Sequence, residues 1–184
     1  MRDTVKVAKL TVRRPPIIVE QIAEFLTTMT VVVSKNTGGS CIPHCYILAA
    51  ACKHARIPVK IVETEFRLRA IGDARPSMSY PNKKTGFLGH TLVYLPTRHF
   101  LIDASLHTQI SKVIPLAMPS GGPVFMDFDH RVHNSAHAEL ERGYIEYTNI
   151  RHSGNAWHKA NMPWKAYDKL GKMFYDQGLR LEWD

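Results

Sequence analysis

No stretch of this sequence is apolar for long enough to cross a bilayer, although 45% of its 184 residues are hydrophobic. A soluble globular chain is therefore expected, and a membrane span is not. The opening residues Met1-Arg2-Asp3-Thr4-Val5-Lys6 lack the apolar core of a secretory signal, because charges recur as far as Arg14. Cysteine is scarce, and the three present, Cys41, Cys45 and Cys52, fall in one predicted helix. That is a poor framework for disulfides between distant parts of a secreted fold and suits a reduced, cytoplasmic compartment. There is no internal repeat, no low-complexity tract and no linker-like stretch, and the length suits one core better than two. Residues 1–184 are read as a single domain. No acidic loop of the calcium-binding kind occurs, so calcium dependence is not implied.

Acidic residues are the minority, 16 against 24 Lys and Arg, which gives a formal charge of +8. Such an excess draws acidic partners by long-range steering, so an acidic partner is one candidate. The basic residues are nevertheless scattered: Arg13-Arg14, Arg67 with Arg69, and Lys83-Lys84 are pairs, not a stripe. Neither a DNA-reading helix nor the aromatic signature of an RNA-binding sheet is present. Nucleic acid is not an expected partner, and the plain reading of the charge is a solvated basic surface.

Periodicity supplies the elements. Val5 to Val12 reads as a short strand, and Ile17 to Met29 as an amphipathic helix with Ile18, Ile22, Phe25 and Leu26 at helical spacing. The β-branched run Thr30 to Ser34 is a strand or an approach loop. A central apolar helix runs from Cys41 to Ala55 and stops at Arg56-Ile57-Pro58, with Pro43 tolerated because it falls in the first turn. Val59 to Arg69 follows as a strand, and Gly72 to Gly86, with Pro76, Pro81 and Asn82, as a long surface loop. Further strands are predicted at His90 to Leu95, Phe100 to Asp103, Pro123 to Phe128 and Tyr144 to Asn149, and a last helix at Trp164 to Gln177. Helices first and then a run of strands is an α+β arrangement with an antiparallel sheet.

One constellation carries chemistry. Gly38-Gly39-Ser40 ends a loop and starts the central helix, which sets the Cys41 thiol in the first turn, where unpaired N–H groups and the helix dipole favour an anion. A thiolate is most readily formed there. His90 and Asp103 follow on two adjacent predicted strands. The imidazole would serve as base or ion-pair partner and then as acid to a leaving group. The carboxylate would fix its tautomer. The Cys41 backbone N–H is a natural oxyanion donor, with Asn36 or Gln21 as a candidate for a second.

These residues resemble the core of the transglutaminase-like superfamily: Cys41 opening a helix closed by Ile57-Pro58, the strand Val59-Lys60-Ile61-Val62 beyond it, then the His90 strand and the Asp103 strand joined by a short hairpin. The resemblance spans 37–106, with further strands and a helix expected over 107–184. Two positions depart from the family pattern. Thr91 and Leu92 stand where members often carry an aromatic residue, and Cys45 stands where many have a small one. The resemblance implies a papain-like core in which the nucleophile-bearing helix packs on an antiparallel sheet. It also implies a thiol enzyme with a Cys41-His90-Asp103 catalytic triad and no cofactor or metal. Such an enzyme acts through a thioester on a peptide, protein or small-molecule amide or acyl substrate, as a hydrolase or as an acyltransferase. The Arg-Gly-Gly approach of arylamine acetyltransferases is missing, since Asn36-Thr37 precedes Gly38-Gly39.

Plainer readings stand beside this one. Cys41 alone would be a small buried hydrophobe. Cys45, one turn on, and Cys52 continue its face with Leu48 and are read as packing, with Cys45 retained as rival nucleophile or redox partner. His90 alone would be a core histidine, and Asp103 the start of a turn into Ala104-Ser105. His99, in the hairpin, is expected to be exposed, and His107 is a candidate substrate contact. The segment Asp129 to His137 would align His130, His133 and His137 on one face if it were helical, a ligand-like pattern for zinc or nickel, whereas a turn at Asn134-Ser135 makes it a polar loop. Two functions therefore compete with the enzyme: a non-catalytic binding module on the same scaffold, and a histidine-rich metal-binding protein.

Overall fold

The computed structural model describes residues 7–8, 23, 41–70, 78–79, 89–105, 124–140, 143–152 and 163–181. Their elements are β1 (Val7–Ala8), α1 (Cys41–His54), β2 (Lys60–Ala70), β3 (Met78–Ser79), β4 (His90–Leu95), β5 (Phe100–Asp103), β6 (Val124–Asp127), β7 (Ser135–Leu140), β8 (Gly143–His152) and α2 (Trp164–Leu181). The predicted helix 17–29 lies outside the described residues apart from Ala23, which is helical and buried. The run 30–34 and most of the loop 72–86 lie outside them too.

The strands form one sheet in the order β1-β7-β8-β2-β4-β5-β6, with β3 paired to β2. Every pairing is antiparallel except β1 with β7. β6 and β7, near opposite ends of that order, also approach each other, so the sheet curls into a nearly closed barrel. The α+β expectation holds at this level, a helix against a largely antiparallel sheet. The curl is an addition to it.

Curling gives the sheet two apolar faces. Inside lie Phe66, Leu68, Leu92, Tyr94, Met126, Phe128, Ile145 and Tyr147, all buried. Outside, Val93, Leu95, Phe100 and Ile102 pack under Cys45, Leu48, Ala51 and Cys52 of α1. This is why β4 and β5 are buried at every position instead of alternating.

Helix α1 is itself covered on two sides, by β4 and by α2. Its C-terminus closes with two bonds: Ile57 N–H donates to Cys52 O (2.8 Å) and Arg56 N–H to Lys53 O (3.0 Å). Arg56 takes the left-handed conformation (φ 57°) that this cap requires. Pro58 then prevents continuation. On α2, Gly171 is buried so tightly that a Cβ there would meet the Ala50 Cβ, the Ala51 nitrogen at 2.8 Å and the Ile47 oxygen at 2.9 Å. Among the described residues no helix is long and apolar enough to cross a membrane.

In the segment 129–137 the helical alternative does not form: a turn stands at its start and a strand at its end. Val132 N–H (3.0 Å) and His133 N–H (2.8 Å) both donate to Asp129 O, which makes a single turn, and β7 begins at Ser135. His130, His133 and His137 therefore share no helical face. The rings packed on His130 are His152 of β8, with centroids 4.4 Å apart, and Phe128 and Tyr94 at 6.1 and 6.2 Å. Among the described residues no group of three or more His, Cys, Asp or Glu side chains is arranged to hold a metal ion.

Candidate active site

Cys41 is the first residue of α1, as the glycines and Ser40 before it lead one to expect. His90 opens β4 and Asp103 ends β5. The register pairs Val93 with Ile102, so His90 and Asp103 are not directly opposite. They sit on the same face, offset by two residues along the strands. That diagonal is within reach of a histidine side chain. His90 Nε2 lies 2.6 Å from Asp103 Oδ2, with both side chains fully buried.

The carboxylate is saturated with donors. Besides His90, the Tyr147 hydroxyl donates to Oδ2 at 2.8 Å. The Ser105 N–H (3.0 Å) and hydroxyl (2.9 Å) both donate to Oδ1. Burial alone would raise the Asp103 pKa. The charge on His90 and the bonds from His90, Ser105 and Tyr147 outweigh it and hold the carboxyl below its usual range. Asp103 thus has both roles weighed from the sequence. Oδ1 closes the turn into Ala104-Ser105, and Oδ2 holds the imidazole.

With Nε2 on the carboxylate, the ring nitrogen left is Nδ1, which is buried with no hydrogen-bond partner among the described residues. The ring is held from its faces by Phe66 (centroids 5.0 Å) and Tyr147 (6.0 Å). Burial opposes a charged imidazole, but Asp103 and then Cys41 outweigh it, so the His90 pKa is raised. For Cys41, burial likewise pushes the thiol up. The neighbouring His90, and to a lesser degree Thr91, reverse that and leave the pKa below the ordinary thiol value. The directions are complementary, the charge on each group favouring the charge on the other.

The other two cysteines behave oppositely. Burial pushes the Cys45 thiol well up, and its S–H donates to the Thr91 carbonyl at 3.2 Å. Cys52 is pushed up to about 12 by burial. All three cysteines are free and buried, and Cys41 keeps 4% exposure against 0% for the others. An open groove of about 800 Å³ between α1 and α2, lined by Tyr46, Lys53, Arg56 and Trp164 among others, lies toward the far end of α1 and touches none of the three site residues.

The structure therefore brings together Cys41, His90 and Asp103. Asn36, Gln21 and His107 lie outside the described residues. His99 is partly exposed in the β4–β5 loop, near Asp129 (3.7 Å) and away from the cluster. Sequence reasoning missed Tyr147 and Ser105. The spacing Asp103-Ala104-Ser105 is an Asx-turn signal that points to Ser105. Tyr147, 44 residues downstream, has none. Compared with protein-family models, curated proteins and solved structures, the chain matches none.

Proposed function

We propose that the protein is a cysteine enzyme of the transglutaminase-like kind, with the papain-like helix-on-sheet core that this implies, and that it transfers or hydrolyses an acyl group through a thioester on Cys41. The observation that carries this reading is the polarised histidine. His90 is bound through Nε2 to a fully hydrogen-bonded buried carboxylate, with Nδ1 left for the thiol at a helix N-terminus. A core histidine that only packed would have no need of a carboxylate with four donors, since burying that charge is costly unless it is paired.

In this reaction the Cys41 thiolate attacks the carbonyl carbon, and the backbone N–H of Cys41 stabilises the oxyanion. His90 gives its Nδ1 proton to the leaving group as the carbon–heteroatom bond breaks, leaving a thioester. A water or amine then yields a proton to Nδ1, attacks the thioester and releases the acyl product with the thiolate restored. Asp103 keeps its charge throughout and holds the ring. The substrate is a peptide, protein or small-molecule amide or acyl compound, and the +8 charge favours an acidic one.

The test is to expose the full chain to peptide and thioester libraries and look for an acyl adduct by intact mass. Adduct is expected on the parent chain and on Cys41→Ala never, while Cys45→Ala retains it. Adduct on Cys41→Ala that disappears in Cys45→Ala would move the nucleophile one turn along the helix. Slow labelling of Cys41 with an ordinary-thiol pH dependence would favour the binding module.

A further inference from the structure

The open groove of about 800 Å³ between α1 and α2 lies away from Cys41, His90 and Asp103. The apolar residues that line it are mostly half-buried and the charged ones exposed, which gives it an apolar floor and a charged rim. Ile57 and Tyr167 of the floor pack on the outer core. Tyr167 also meets the rings of Tyr46 and Trp164, each with centroids 6.4 Å away, and those two meet edge to face at 4.3 Å. The rim carries Lys53 and Arg56 at the end of α1, and Lys165 of α2. None of these cations has an ion-pair partner among the described residues. The one carboxylate lining the groove, Asp168, is 3.5 Å from His54. Lys53 complements the C-terminal end of α1, but Lys165 stands in the first turn of α2, where the helix field disfavours a cation and no acid is present. Local helix electrostatics therefore give no reason for that charge.

We propose that this groove docks an extended acidic peptide segment of a partner protein, with its apolar side chains on the floor and its carboxylates at the rim. The site is separate from Cys41 and does not depend on that thiol being the nucleophile. Charge complementarity names the occupant, since unpaired cations border an apolar floor whose one acid already has a partner. Those cations stand on both helices. A small anion offers them a single charge, whereas a peptide offers several. In an extended chain successive side chains point opposite ways, so alternating acidic and apolar residues match a floor and a rim at once. The length agrees: Tyr46 and Arg56 are ten positions apart along α1, about 15 Å at the helical rise, which an extended peptide covers in about five residues.

The experiment is fluorescence anisotropy of the full chain with a fluorescein-labelled peptide Asp-Leu-Asp-Phe-Glu-Leu, against its neutral counterpart Asn-Leu-Asn-Phe-Gln-Leu, at physiological ionic strength. The parent is expected to bind the acidic peptide about tenfold tighter than the neutral one. Lys165→Glu, and separately the double variant Lys53→Glu with Arg56→Glu, should each weaken the acidic peptide about tenfold, because reversal turns an attraction into a repulsion. Arg98→Glu makes the same charge change in the exposed β4–β5 loop and should stay within about twofold of the parent. Ala49→Gln fills the floor without altering charge and should weaken both peptides. Should the double variant not fold, Lys165→Glu against Arg98→Glu decides alone. The proposal is overturned if the parent binds neither peptide, if it binds both equally, or if Arg98→Glu loses as much as Lys165→Glu, which would be attraction to the whole surface. Displacement of the peptide by equimolar phenylacetate would make the groove a small-anion site. A parent dimer in sedimentation that Lys165→Glu dissolves would give the groove to a second copy, and either result also overturns the peptide.

Discussion

At the scale of single residues, Asp103 depends on donors that come from two strands and a turn. Tyr147 is the one whose role can be isolated, because Tyr147→Phe removes the hydroxyl that reaches Oδ2 and keeps the ring against Phe66 and His90. A bond to a buried carboxylate is worth about 1.5–3 kcal/mol, so urea denaturation of Tyr147→Phe should show a loss in that range. Its hydroxyl also lowers the Asp103 pKa, so the variant's carboxyl titrates higher than the parent's. A loss below about 0.5 kcal/mol would mean that the remaining three donors, His90 and the two from Ser105, already hold the carboxylate without it. His90 itself needs no such probe of place. With Phe66 and Tyr147 against it and Asp103 on Nε2, its ring orientation is determined on every side but the one facing Cys41.

At the scale of elements, α1 is the piece that everything else positions, and its distance from α2 is set by a missing side chain. Gly171→Ala would drive a methyl into the Ala50 Cβ and into the α1 backbone at Ala51 and Ile47, neither of which is a flexible tip. Overpacking of this kind costs about 1–3 kcal/mol, and here the upper half is expected, read as a fall in the urea midpoint with an unchanged slope. Gly171→Ala of parent stability would mean that α2 shifts freely along α1. The limits of α1 were legible from Gly38-Gly39-Ser40 before it and Ile57-Pro58 after it, and β4, β5 and the course of α2 from apolar and aromatic content. Strand β7, Ser135 to Leu140, was not. Its Ala136, His137, Ala138 and Glu139 have low strand propensity, and the two alanines are there because they oppose Tyr147 and Ile145 across the β7–β8 pairing inside the barrel. Small residues opposite large ones are a tertiary requirement, invisible without the register. For the same reason the order Cys41, His90, Asp103 could be seen in the sequence while Tyr147, which meets Asp103 across the barrel interior from β8, could not.

At the scale of the molecule, the site lies on the seam between the two apolar cores. His90 and Asp103 face the barrel interior with Phe66 and Tyr147, whereas Cys41 belongs to the helix that covers the outer face. A buried ion pair on such a seam makes global stability depend on pH, with a sign that follows from the two shifts. The Asp103 pKa is lowered by folding, so its contribution is present above the unfolded value of about 4 and is lost as pH falls through the folded one. The His90 pKa is raised, so its contribution is complete below about 6.5 and is lost as pH rises through the folded value. Both are complete only between about pH 4 and 6.5. In Asp103→Asn the histidine loses the larger of the two influences that raise its pKa and keeps only Cys41 against burial, so protonation below about 6.5 no longer brings that variant the stability it brings the parent. The stability gap between parent and Asp103→Asn, measured by urea denaturation across pH, should therefore be widest in that interval. It should narrow above it as the parent's His90 gives up its proton, and narrow again at lower pH as Asp103 takes one up. A gap that stays constant from pH 3 to pH 9 would mean that His90 and Asp103 share a neutral hydrogen bond instead of a charge pair, and the proposed Cys41 thiolate would lose its imidazolium.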